Sequence, residues 1–495
     1  MKKSYCIAIL CLMAFLAVSP RSSAQICPVP ASMQLDKSEY YPISRLSIAC
    51  PDEGAVKWAK DHLKQWFINS APEVVPSAYD GGAREEGAYR LQIGPSEISV
   101  SAGTLQGVRY ALYSLRQLAM PARGTLQVQG WIAPKAVIDD KPALKFRGIH
   151  LCWFHETEPW VIERQIRLAA YYKLNYVVLE PWGTFKSKVA PWYCWDDAPM
   201  DAKEIKRLRK IAEDLGVTLI PQLNIFGHAT QSRGGTGKHA ALDRHPEYQA
   251  IFEPDGGWNF CLSNPQTRKL VIALAEELHE AFGNPPYFHI GCDEANAPTC
   301  PDCLVQPYSK LLLDHISAVA DVLGQRGAKV MMWHDMFLER GDPRWKGFYD
   351  NGSAETAKAA LALPKNSVIC DWYYGGKQED YPTLKYFKEL GYEVLSCPWH
   401  EVSGIMAQSA YVQKNGMDGV LGTLWHHNYG KDMQNVFEVL SNSVWNAKPE
   451  QRARINFFTH LRQVTWDMKL KKHEGFGIYN EEVPSTTFQS WNYPD

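Results

Sequence analysis

Two adjacent carboxylates, Asp293 and Glu294, directly follow a short apolar run that begins at Tyr287. Charges in such surroundings are costly unless they are paired, and two close carboxylates shift each other's proton affinity, so that one can be kept protonated as an acid. Cleavage of a glycosidic bond needs such a pair, because the leaving oxygen takes a proton while a negative group offsets the developing positive charge. The alternative is structural: Asp293 would cap a helix, and Glu294 would lie in its first turn.

Tryptophans stand at the ends of four later apolar runs, and these are Trp333, Trp372, Trp399 and Trp425. An indole buries a large flat surface with specific geometry, which suits the C–H faces of a sugar ring. Rim positions of a barrel bind ligands, whereas its interior prefers branched aliphatic side chains. We therefore predict a sugar pocket lined by these four residues. The alternative is that one or two of them only plug the top of the barrel.

Short apolar strands alternate with amphipathic helices from residue 142 to about residue 450. The strands are predicted to begin near Phe146, Asn175, Thr218, Tyr287, Lys329, Ser367, Glu393 and Gly419. Eight such units predict an α/β fold, the (β/α)8 TIM barrel, with functional residues at the C-terminal ends of the strands. The long segment 223–286, between the third and fourth strands, is expected to form a wall of the site.

Residues 25–141 predict a small α/β accessory domain in front of this barrel. Two helices are predicted, Ala55–Phe67 and Leu105–Leu118, and three strands, Tyr89–Ile93, Ile98–Ser101 and Leu126–Val128. Turn-forming residues cluster at Asp139–Pro142, which therefore marks the boundary between the accessory domain and the catalytic barrel, 142–450. Residues 451–495 are predicted to add one helix, Arg452–Leu470, and an irregular tail.

Residues 1–24 are typical of a signal peptide, with Lys2 and Lys3 before the apolar stretch Cys6–Val18 and small residues at the cleavage position. Thirteen apolar residues are too few to cross a bilayer, which takes about 20. We therefore expect an exported protein, periplasmic or secreted, without a membrane span. The alternative is an N-terminal anchor that is retained.

The composition excludes several classes of protein. Hydrophobic residues make up 45% and aromatic residues 12% of the 495 positions, which excludes a disordered or fibrous chain. The formal net charge is −2 and the sequence has no basic block, so we expect no nucleic-acid partner.

The cysteines allow several states in an exported chain, where disulfides can form. The first pair that we expect is Cys27 with Cys50. The motif Cys300-Pro-Asp-Cys303 permits a local disulfide, free thiols or a structural zinc site, in that order of preference. A second ligand pair at zinc-like spacing is missing, although Cys292 lies close by, so no metal centre is predicted.

Around the two carboxylates the sequence resembles glycoside hydrolase family 20, the β-N-acetylhexosaminidases. The family's signature His-x-Gly-Gly-Asp-Glu is matched by His289–Glu294, with Cys292 at the second glycine. Pro221–His228 resembles the family segment Pro-Glu-x-Asp-x-Pro-Gly-His, and Gly107–Leu118 resembles the accessory domain that precedes the family's barrel.

The resemblance implies a substrate-assisted retaining mechanism, in which the 2-acetamido oxygen of the sugar attacks the anomeric carbon. Asp293 would orient the acetamido group, and Glu294 would act first as general acid and then as base. Arg147 would hold ring hydroxyls, and His228 would orient the acid from behind. The sugar would be enclosed by Trp333, Trp372 and Trp425. The implied substrate is a glycan or glycoconjugate with a terminal β-linked N-acetylhexosamine (GlcNAc or GalNAc), and no cofactor would be needed.

Several positions depart from the family pattern. His400 stands where the family has tyrosine, His427 where it has glutamate, and Asn224 where it has aspartate. Tyr373 or Tyr374, one strand away, is expected to replace the lost hydroxyl. The two histidines allow two interpretations: a pocket that accepts a sulfated or otherwise modified sugar, or one in which a neutral imidazole binds a 4- or 6-hydroxyl.

These departures keep a second function open, that of a glycan-binding protein with the same pocket and little or no catalysis. Retention of Asp293 and Glu294 favours the enzyme, since loss of the central pair is the direct route to inactivity. A third function is a barrel hydrolase that acts on glycans without an acetamido group. Such an enzyme would have no use for Asp293 beside the acid.

Overall fold

The computed structural model describes residues 26–82, 85–122, 130–155, 157–230, 241–425, 430–446 and 455–468. The expected signal peptide, the expected strand Leu126–Val128 and His427 lie outside the described residues. Within the described ranges, no helix combines the length and the apolar character that a membrane crossing requires.

The accessory domain is a mixed β-sheet that packs against two helices. Its strands are β1 (Ser32–Pro42), β2 (Arg45–Ala49), β3 (Glu73–Pro76), β4 (Tyr89–Ile93), β5 (Ile98–Ser101), β6 (Met120–Pro121) and β7 (Trp131–Asp140), and its helices are α1 (Gly54–Trp66) and α2 (Leu105–Leu118). The sheet order is β1-β7-β4-β5-β2-β3, and β6 pairs with β7. Alternate residues of β4 are buried, as expected of a strand with one face on a core.

Eight parallel strands follow and form the barrel. They are β8 (Phe146–Trp153), β9 (Tyr176–Pro181), β10 (Thr218–Pro221), β11 (Tyr287–His289), β12 (Lys329–Trp333), β13 (Val368–Trp372), β14 (Glu393–Cys397) and β15 (Gly419–Leu424). Consecutive strands are neighbours, and β15 pairs with β8. Between β10 and β11 the ring is closed by an isolated bridge from Gln222 to His289. The predicted TIM barrel with an accessory domain in front of it is therefore confirmed.

Helices connect the strands on the outside of the barrel. The described α-helices between β8 and β15 are α3 (Pro159–Tyr171), α4 (Ala202–Leu215), α5 (Ala241–Arg244), α6 (Pro265–Ala281), α7 (Pro301–Leu304), α8 (Tyr308–Gln325), α9 (Ala354–Ala359), α10 (Pro382–Glu389) and α11 (Val402–Lys414). The last connection runs through α12 (Gly430–Gln434), a π-helical segment at Asn435–Leu440 and α13 (Ser441–Trp445), and α14 (Phe457–Trp466) follows. Short 3₁₀ turns lie at Pro191–Tyr193, Pro246–Ile251, Asp335–Phe337 and Pro343–Trp345.

Apolar side chains from successive strands fill the barrel interior. Every residue of β8 and β15 is buried, because helices cover the strands from outside and the other strands cover them from inside. The interior cluster includes Phe146, Val178, Ile220, Met331, Trp333, Leu395 and Leu421. The strands are thereby held rigidly, and the residues that follow them are presented at one end.

A buried ion pair joins the accessory domain to the barrel. Lys173 is fully buried, and its Nζ lies 3.0 Å from Asp140 Oδ2 and 2.8 Å from the Tyr89 hydroxyl. Trp445 Nε1 donates to the other oxygen of Asp140 at 2.9 Å. Asp140 ends β7 and Lys173 follows α3, so the pair and its partners fix the junction between the two units.

Arg147 belongs to this junction and not to a sugar pocket. It is the second residue of β8, and the C-terminal ends of the strands carry the site. Its guanidinium donates to the carbonyl of Leu144 at 2.6 Å, to that of Lys173 at 3.1 Å and to the Tyr110 hydroxyl at 2.8 Å. The prediction that Arg147 holds ring hydroxyls is wrong. The side chain is buried at the other end of the barrel, and its guanidinium is hydrogen-bonded to these protein groups.

The expected disulfide between Cys27 and Cys50 is not formed. Cys27 Sγ lies 3.6 Å from the Ser441 hydroxyl of α13, and the nearby Val29 N–H donates to Asn442 Oδ1 at 2.9 Å. The start of the described chain thus packs against the last helix of the barrel, whereas Cys50 follows β2 in the accessory domain.

Candidate active site

The imidazole of His228 brings the two adjacent carboxylates together. His228 Nε2 lies 3.3 Å from Asp293 Oδ2 and 3.5 Å from Glu294 Oε2. Asp293 comes from the loop after β11, and His228 from the loop after β10, so the closing joint of the barrel positions both. The Asp293 side chain is 9% exposed, whereas that of Glu294 is 49% exposed. The deeper carboxylate is therefore shielded from water, and the outer one is open to an incoming molecule.

The three groups of this trio have pKa values that are shifted in different directions. Burial disfavours the charged imidazole, but Asp293 and Glu294 outweigh it and raise the pKa of His228 to about 10. Burial raises the pKa of Asp293, against the attraction of His228. The contact with His228 lowers the pKa of Glu294. At neutral pH the imidazolium is thus the principal counter-charge of the pair.

A third carboxylate, Asp335, holds the backbone of Glu294. Asp335 Oδ2 accepts hydrogen bonds from the Glu294 N–H at 3.0 Å and from Asn351 Nδ2 at 2.9 Å. Its other oxygen accepts from Trp372 Nε1 at 3.1 Å. Burial and the nearby charge of Asp293 raise the pKa of Asp335 to about 7. Asp335 therefore ties the carboxylate loop to the strand ends of β12 and β13.

The backbone of the site is strained. Three of the six described non-glycine residues with positive φ lie here: His228 at 55°, Cys292 at 81° and Glu294 at 46°. Such conformations cost about 1–3 kcal/mol each and persist only where the surroundings impose them. Gly227 allows the two loops to meet, because a Cβ there would lie 2.3 Å from the carbonyl oxygen of Asp293. Half of the described non-glycine residues with positive φ thus lie at this one site.

Aromatic side chains from four strand ends and one loop make a continuous aromatic cluster, composed of Trp333, Tyr349, Trp372, Tyr374, Trp399 and Trp425. Trp372 stacks on Tyr349 with ring centroids 4.1 Å apart, and Trp425 Nε1 donates to the Tyr374 hydroxyl at 2.7 Å. Trp333 is fully buried in the barrel interior, whereas Trp399 and Trp425 are half-buried. The half-buried members offer the flat surface that a sugar ring would contact.

Tyr373 does not belong to this cluster. Its hydroxyl accepts a hydrogen bond from Gln378 Nε2 at 2.6 Å, and its ring packs against Phe348 with centroids 4.8 Å apart. Tyr374 is the residue whose ring lies 5.0 Å from Trp372 and 5.3 Å from Trp399. Of the two tyrosines predicted to replace the lost hydroxyl, Tyr374 is therefore the one whose ring packs on the tryptophans, whereas the Tyr373 hydroxyl is bonded to Gln378.

His400 lies at the edge of the aromatic cluster. Its ring contacts that of Trp399 with centroids 4.4 Å apart, and its Nδ1 lies 3.8 Å from Asp432 Oδ1. Its carbonyl accepts from Asn435 Nδ2 at 3.1 Å. The imidazole of His400 thus faces a carboxylate of α12.

A fourth acid, Glu180, lies beneath the aromatic cluster at the end of β9. Its oxygens accept hydrogen bonds from His150 Nε2 at 2.9 Å and Asn224 Nδ2 at 2.7 Å. Burial opposes the charge, but the His150 contact and the other donors lower the pKa of Glu180. The ring of His150 lies 4.6 Å from that of Trp425. Glu180 is therefore an anion that is fully satisfied within the protein.

Sequence reasoning missed several residues that hold this site. Asp335 was visible as a strand-end acid, but nothing in the sequence shows that it holds the Glu294 N–H. Asn351 and Tyr349 follow a loop of 3₁₀ turns without any periodic signal. Trp258, whose Nε1 donates to the Glu294 carbonyl at 2.6 Å, lies within the long segment that was expected to form a wall.

Two family models match the chain. "Glycosyl hydrolase family 20, domain 2" matches residues 23–141, and "Glycosyl hydrolase family 20, catalytic domain" matches residues 199–439. Together they match well over half of the 495 residues. The second match contains His228, Asp293 and Glu294, so the residues that meet in the structure belong to the matched region.

Among curated proteins, the chain is similar to the lacto-N-biosidase of Bifidobacterium bifidum, with 30% identity over 318 residues, 59% of this chain and 24% of that relative. It is 27% identical to a β-hexosaminidase of Vibrio furnissii over 353 residues, 59% of this chain and 52% of that relative. The alignments thus span about half of these relatives or less.

Solved structures share the fold. A chitobiase of Flavobacterium johnsoniae superimposes with a TM-score of 0.67 at 17% identity, over 93% of this chain and 74% of that one. A β-N-acetylhexosaminidase of Bacteroides fragilis gives 0.64 at 19% identity, over 95% and 96% of the two chains. At such identity the likeness shows the fold, and the two family models show the family. The chain belongs to glycoside hydrolase family 20, a family of glycoside hydrolases.

Proposed function

We propose that this protein is an exo-acting β-N-acetylhexosaminidase, which hydrolyses terminal β-linked GlcNAc or GalNAc from glycans with retention of configuration. One observation carries the proposal: a shielded carboxylate and an exposed carboxylate share the imidazole of His228 beside an aromatic cluster. The names of the curated relatives, a β-hexosaminidase and a lacto-N-biosidase, support the same substrate class.

The first step uses the exposed carboxyl group. Glu294 gives its proton to the glycosidic oxygen as the bond from that oxygen to C1 breaks, and the acetamido oxygen of the sugar forms a new bond to C1. The resulting oxazolinium carries a positive charge at the acetamido group. The Asp293 carboxylate accepts a hydrogen bond from the acetamido N–H and offsets that charge. Its Oδ1 is suited to this role, since it is buried and has no hydrogen-bond partner among the described residues.

The second step returns the site to its starting state. The Glu294 carboxylate takes a proton from water while the water oxygen bonds to C1 and the acetamido oxygen leaves. Two inversions at C1 give overall retention. The 49% exposure of the Glu294 side chain leaves room for the leaving group and then for the water.

The sugar is proposed to lie against the half-buried members of the aromatic cluster, Trp399 and Trp425, with Tyr374 beside them. Trp333 and Trp372 support these rings from inside the barrel. His400 faces Asp432 at 3.8 Å, and a carboxylate there opposes an anionic substituent. We therefore favour an unmodified sugar, with His427 as a proposed hydrogen-bonding partner of a 4- or 6-hydroxyl.

Side-by-side rates on aryl β-GlcNAc, β-GalNAc and β-glucoside test the proposal. Hydrolysis of the N-acetylated sugars and no hydrolysis of the glucoside is expected, because the nucleophile belongs to the acetamido group. Equal rates on the glucoside would contradict the mechanism. A 6-sulfated aryl β-GlcNAc, assayed from pH 5 to pH 8, should be the poorer substrate at every pH.

A glycan-binding protein without catalysis is the second candidate, favoured by His400, which stands where the family has tyrosine and whose imidazole faces Asp432 of α12. Binding of GlcNAc with no release from any aryl glycoside would support it. We also propose export, on the pattern of residues 2–24. N-terminal sequencing of the protein from fractionated cells should then begin near Gln25, and an intact Met1 in the cytosol would contradict export.

A further inference from the structure

Three cysteines from two parts of the chain converge beside the loop that carries Glu294. Cys261 Sγ lies 3.6 Å from Cys300 Sγ and 3.8 Å from Cys303 Sγ. Cys261 precedes α6, Cys300 precedes α7, and Cys303 lies within α7. Cys261 and Cys303 are buried, and Cys300 is half-buried. The three thiols therefore meet at one point that is largely closed to solvent.

The distances between the sulfurs match ligands of a common ion. A disulfide needs about 2.05 Å between its sulfurs. Thiolates at about 2.3 Å from a tetrahedral zinc ion stand about 3.8 Å apart. Cys261 thus lies at the separation of tetrahedral ligands from both other cysteines, and the sequence alone shows only the local pair of Cys300 with Cys303.

Glu253 supplies a fourth ligand atom. It is fully buried, and its ligand oxygen and the three sulfurs all lie within 4.8 Å of one another. Oε2 accepts hydrogen bonds from the N–H groups of Thr299 and Cys300, each at 2.7 Å. Oε1 has no hydrogen-bond partner among the described residues. A buried carboxylate oxygen left without a partner is costly, and a cation would satisfy it.

A hydroxyl group supports the sulfurs from outside. Ser263 Oγ lies 3.2 Å from Cys303 Sγ and 3.3 Å from Cys261 Sγ, where it can donate to a thiolate. Outer hydrogen bonds of this kind orient metal ligands and offset their charge. The cluster therefore contains both a complete ligand set and a donor to its sulfurs.

We propose that Cys261, Cys300, Cys303 and Glu253 bind one zinc ion at a structural site. Three sulfurs and one oxygen complete a tetrahedron of protein ligands with no open position, which is the arrangement of structural zinc. The three thiols release their protons to solvent as the ion binds. This site replaces the sequence-based expectation that the chain has no metal centre, and it lies outside the Asp293–Glu294 chemistry.

The ion would clamp the wall of the active site. Glu253 and Cys261 bracket the segment whose Trp258 Nε1 donates to the Glu294 carbonyl at 2.6 Å. Asn259 exchanges two hydrogen bonds with the backbone of Asn296, at 2.8 and 3.0 Å. Zinc would join both ends of this segment to the chain just after Glu294, so that the loop is held from two sides.

Metal analysis of the whole protein tests the site without relying on turnover. Protein purified without an immobilised-metal column and without chelators should carry one zinc per chain by inductively coupled plasma mass spectrometry. X-ray absorption at the zinc edge should give three sulfur neighbours at about 2.3 Å and one oxygen near 2.0 Å. Absence of zinc after incubation with zinc under reducing conditions would overturn the proposal. An intact mass lower by 2 Da without reductant would instead identify a disulfide and would also overturn it.

Matched variants separate the cluster from other thiols. Cys303→Ser should lower the zinc content from one per chain to near zero and reduce the Tm, because metal binding stabilises the folded state. Glu253→Gln should also lose zinc, since an amide oxygen is a weaker ligand than a carboxylate. Cys50→Ser, at a half-buried thiol of the accessory domain, should keep full zinc content. Full zinc content in Cys303→Ser would contradict the assignment of the ligands.

Discussion

Asp293 and Glu294 differ in exposure by a factor of about five, 9% against 49%, although they are neighbours in the chain. In the proposed mechanism this difference gives them different tasks: the shielded carboxylate remains a fixed charge, and the exposed one exchanges protons with substrate and water. His228 links the two tasks, because its Nε2 is close to both carboxylates.

Glu294→Gln should reduce the rate on unactivated β-GlcNAc glycosides by about 100- to 10,000-fold while binding of the sugar persists, because only the proton transfer is lost. Steady-state rates and sugar titration measure the two effects separately. Glu280→Gln, at an exposed position near the end of α6, is the matched control and should retain full activity. A near wild-type rate in Glu294→Gln would refute its role as the acid.

His228→Asn should move both limbs of the pH profile of kcat/KM to higher pH. The contact with His228 lowers the pKa of Glu294 and opposes the rise in the pKa of Asp293. Without the imidazolium both pKa values rise, so the acid keeps its proton to higher pH and Asp293 ionises only at higher pH. Rates from pH 4 to pH 9 would show the shift, and His245→Asn should leave the profile in place. A profile that moves to lower pH would contradict this charge arrangement.

At the residue scale, the sequence predicted the types of the central groups but not their neighbours. The apolar run before Asp293 and the segment Pro221–His228 were sufficient to find the trio. Arg147 was misplaced because its role was taken from the family resemblance, although it is the second residue of a strand whose other end faces the site. The choice between Tyr373 and Tyr374 stayed open because adjacent residues after a strand differ only in the direction of their side chains, which the sequence does not reveal.

Gly227, on the loop after β10, determines how closely this loop and the loop that carries Asp293 approach each other. A Cβ on Gly227 would stand 2.3 Å from the backbone oxygen of Asp293, and backbone atoms cannot yield as a flexible side chain can. The position of the carboxylate loop therefore depends on the absence of a Cβ at residue 227, which only glycine provides.

Gly227→Ala should destabilise the protein by about 1–3 kcal/mol, as overpacking does, and should lower kcat/KM by about 100-fold, the usual cost of a displacement near 1 Å. Urea unfolding and steady-state kinetics provide the two numbers. Gly324→Ala in α8 is the control, because nothing lies within 4 Å of the added Cβ. It should gain up to about 1 kcal/mol of stability with unchanged kinetics. Equal behaviour of the two variants would disprove the close approach.

At the element scale, periodicity predicted the barrel well. Six of the eight predicted strand starts coincide with the observed ones, and the other two, Asn175 and Ser367, are one residue early. The accessory sheet was harder, because five of its strands were not predicted: β1, β2, β3, β6 and β7. Strands β1 and β7 pair with each other through a register shift between Asp36 and Tyr40, and such long-range pairing leaves little local signal.

The two units of the molecule are joined by charges that water does not reach. Lys173 and Asp140 have fully buried side chains, and Asp140 also accepts a hydrogen bond from Trp445. Burial lowers the pKa of Lys173, and the interaction with Asp140 opposes that shift. Nothing local in the sequence reveals this pair, because its two partners are 33 residues apart.

Lys173→Met should reduce the free energy of unfolding by about 3–5 kcal/mol, because it leaves Asp140 buried without its counter-ion. Chemical denaturation monitored by tryptophan fluorescence measures the loss. Lys57→Met breaks the exposed pair between Lys57 and Asp61 in α1 and should leave the unfolding midpoint unchanged. If Lys173→Met unfolds at the wild-type midpoint, the junction does not depend on this pair.

The isolated bridge from Gln222 to His289 gives the ring of strands a seam. Strand pairs elsewhere in the barrel share a ladder, whereas β10 and β11 are joined by this bridge and by a few hydrogen bonds beyond it, such as Leu223 N–H to the His289 carbonyl at 2.9 Å. His228 stands on one side of the seam, and Asp293 and Glu294 stand on the other. Transient parting of the seam would separate the imidazole from both carboxylates while the remainder of the ring stays paired. Activity would then be lost by local opening between β10 and β11, at a lower free energy than unfolding of the whole fold.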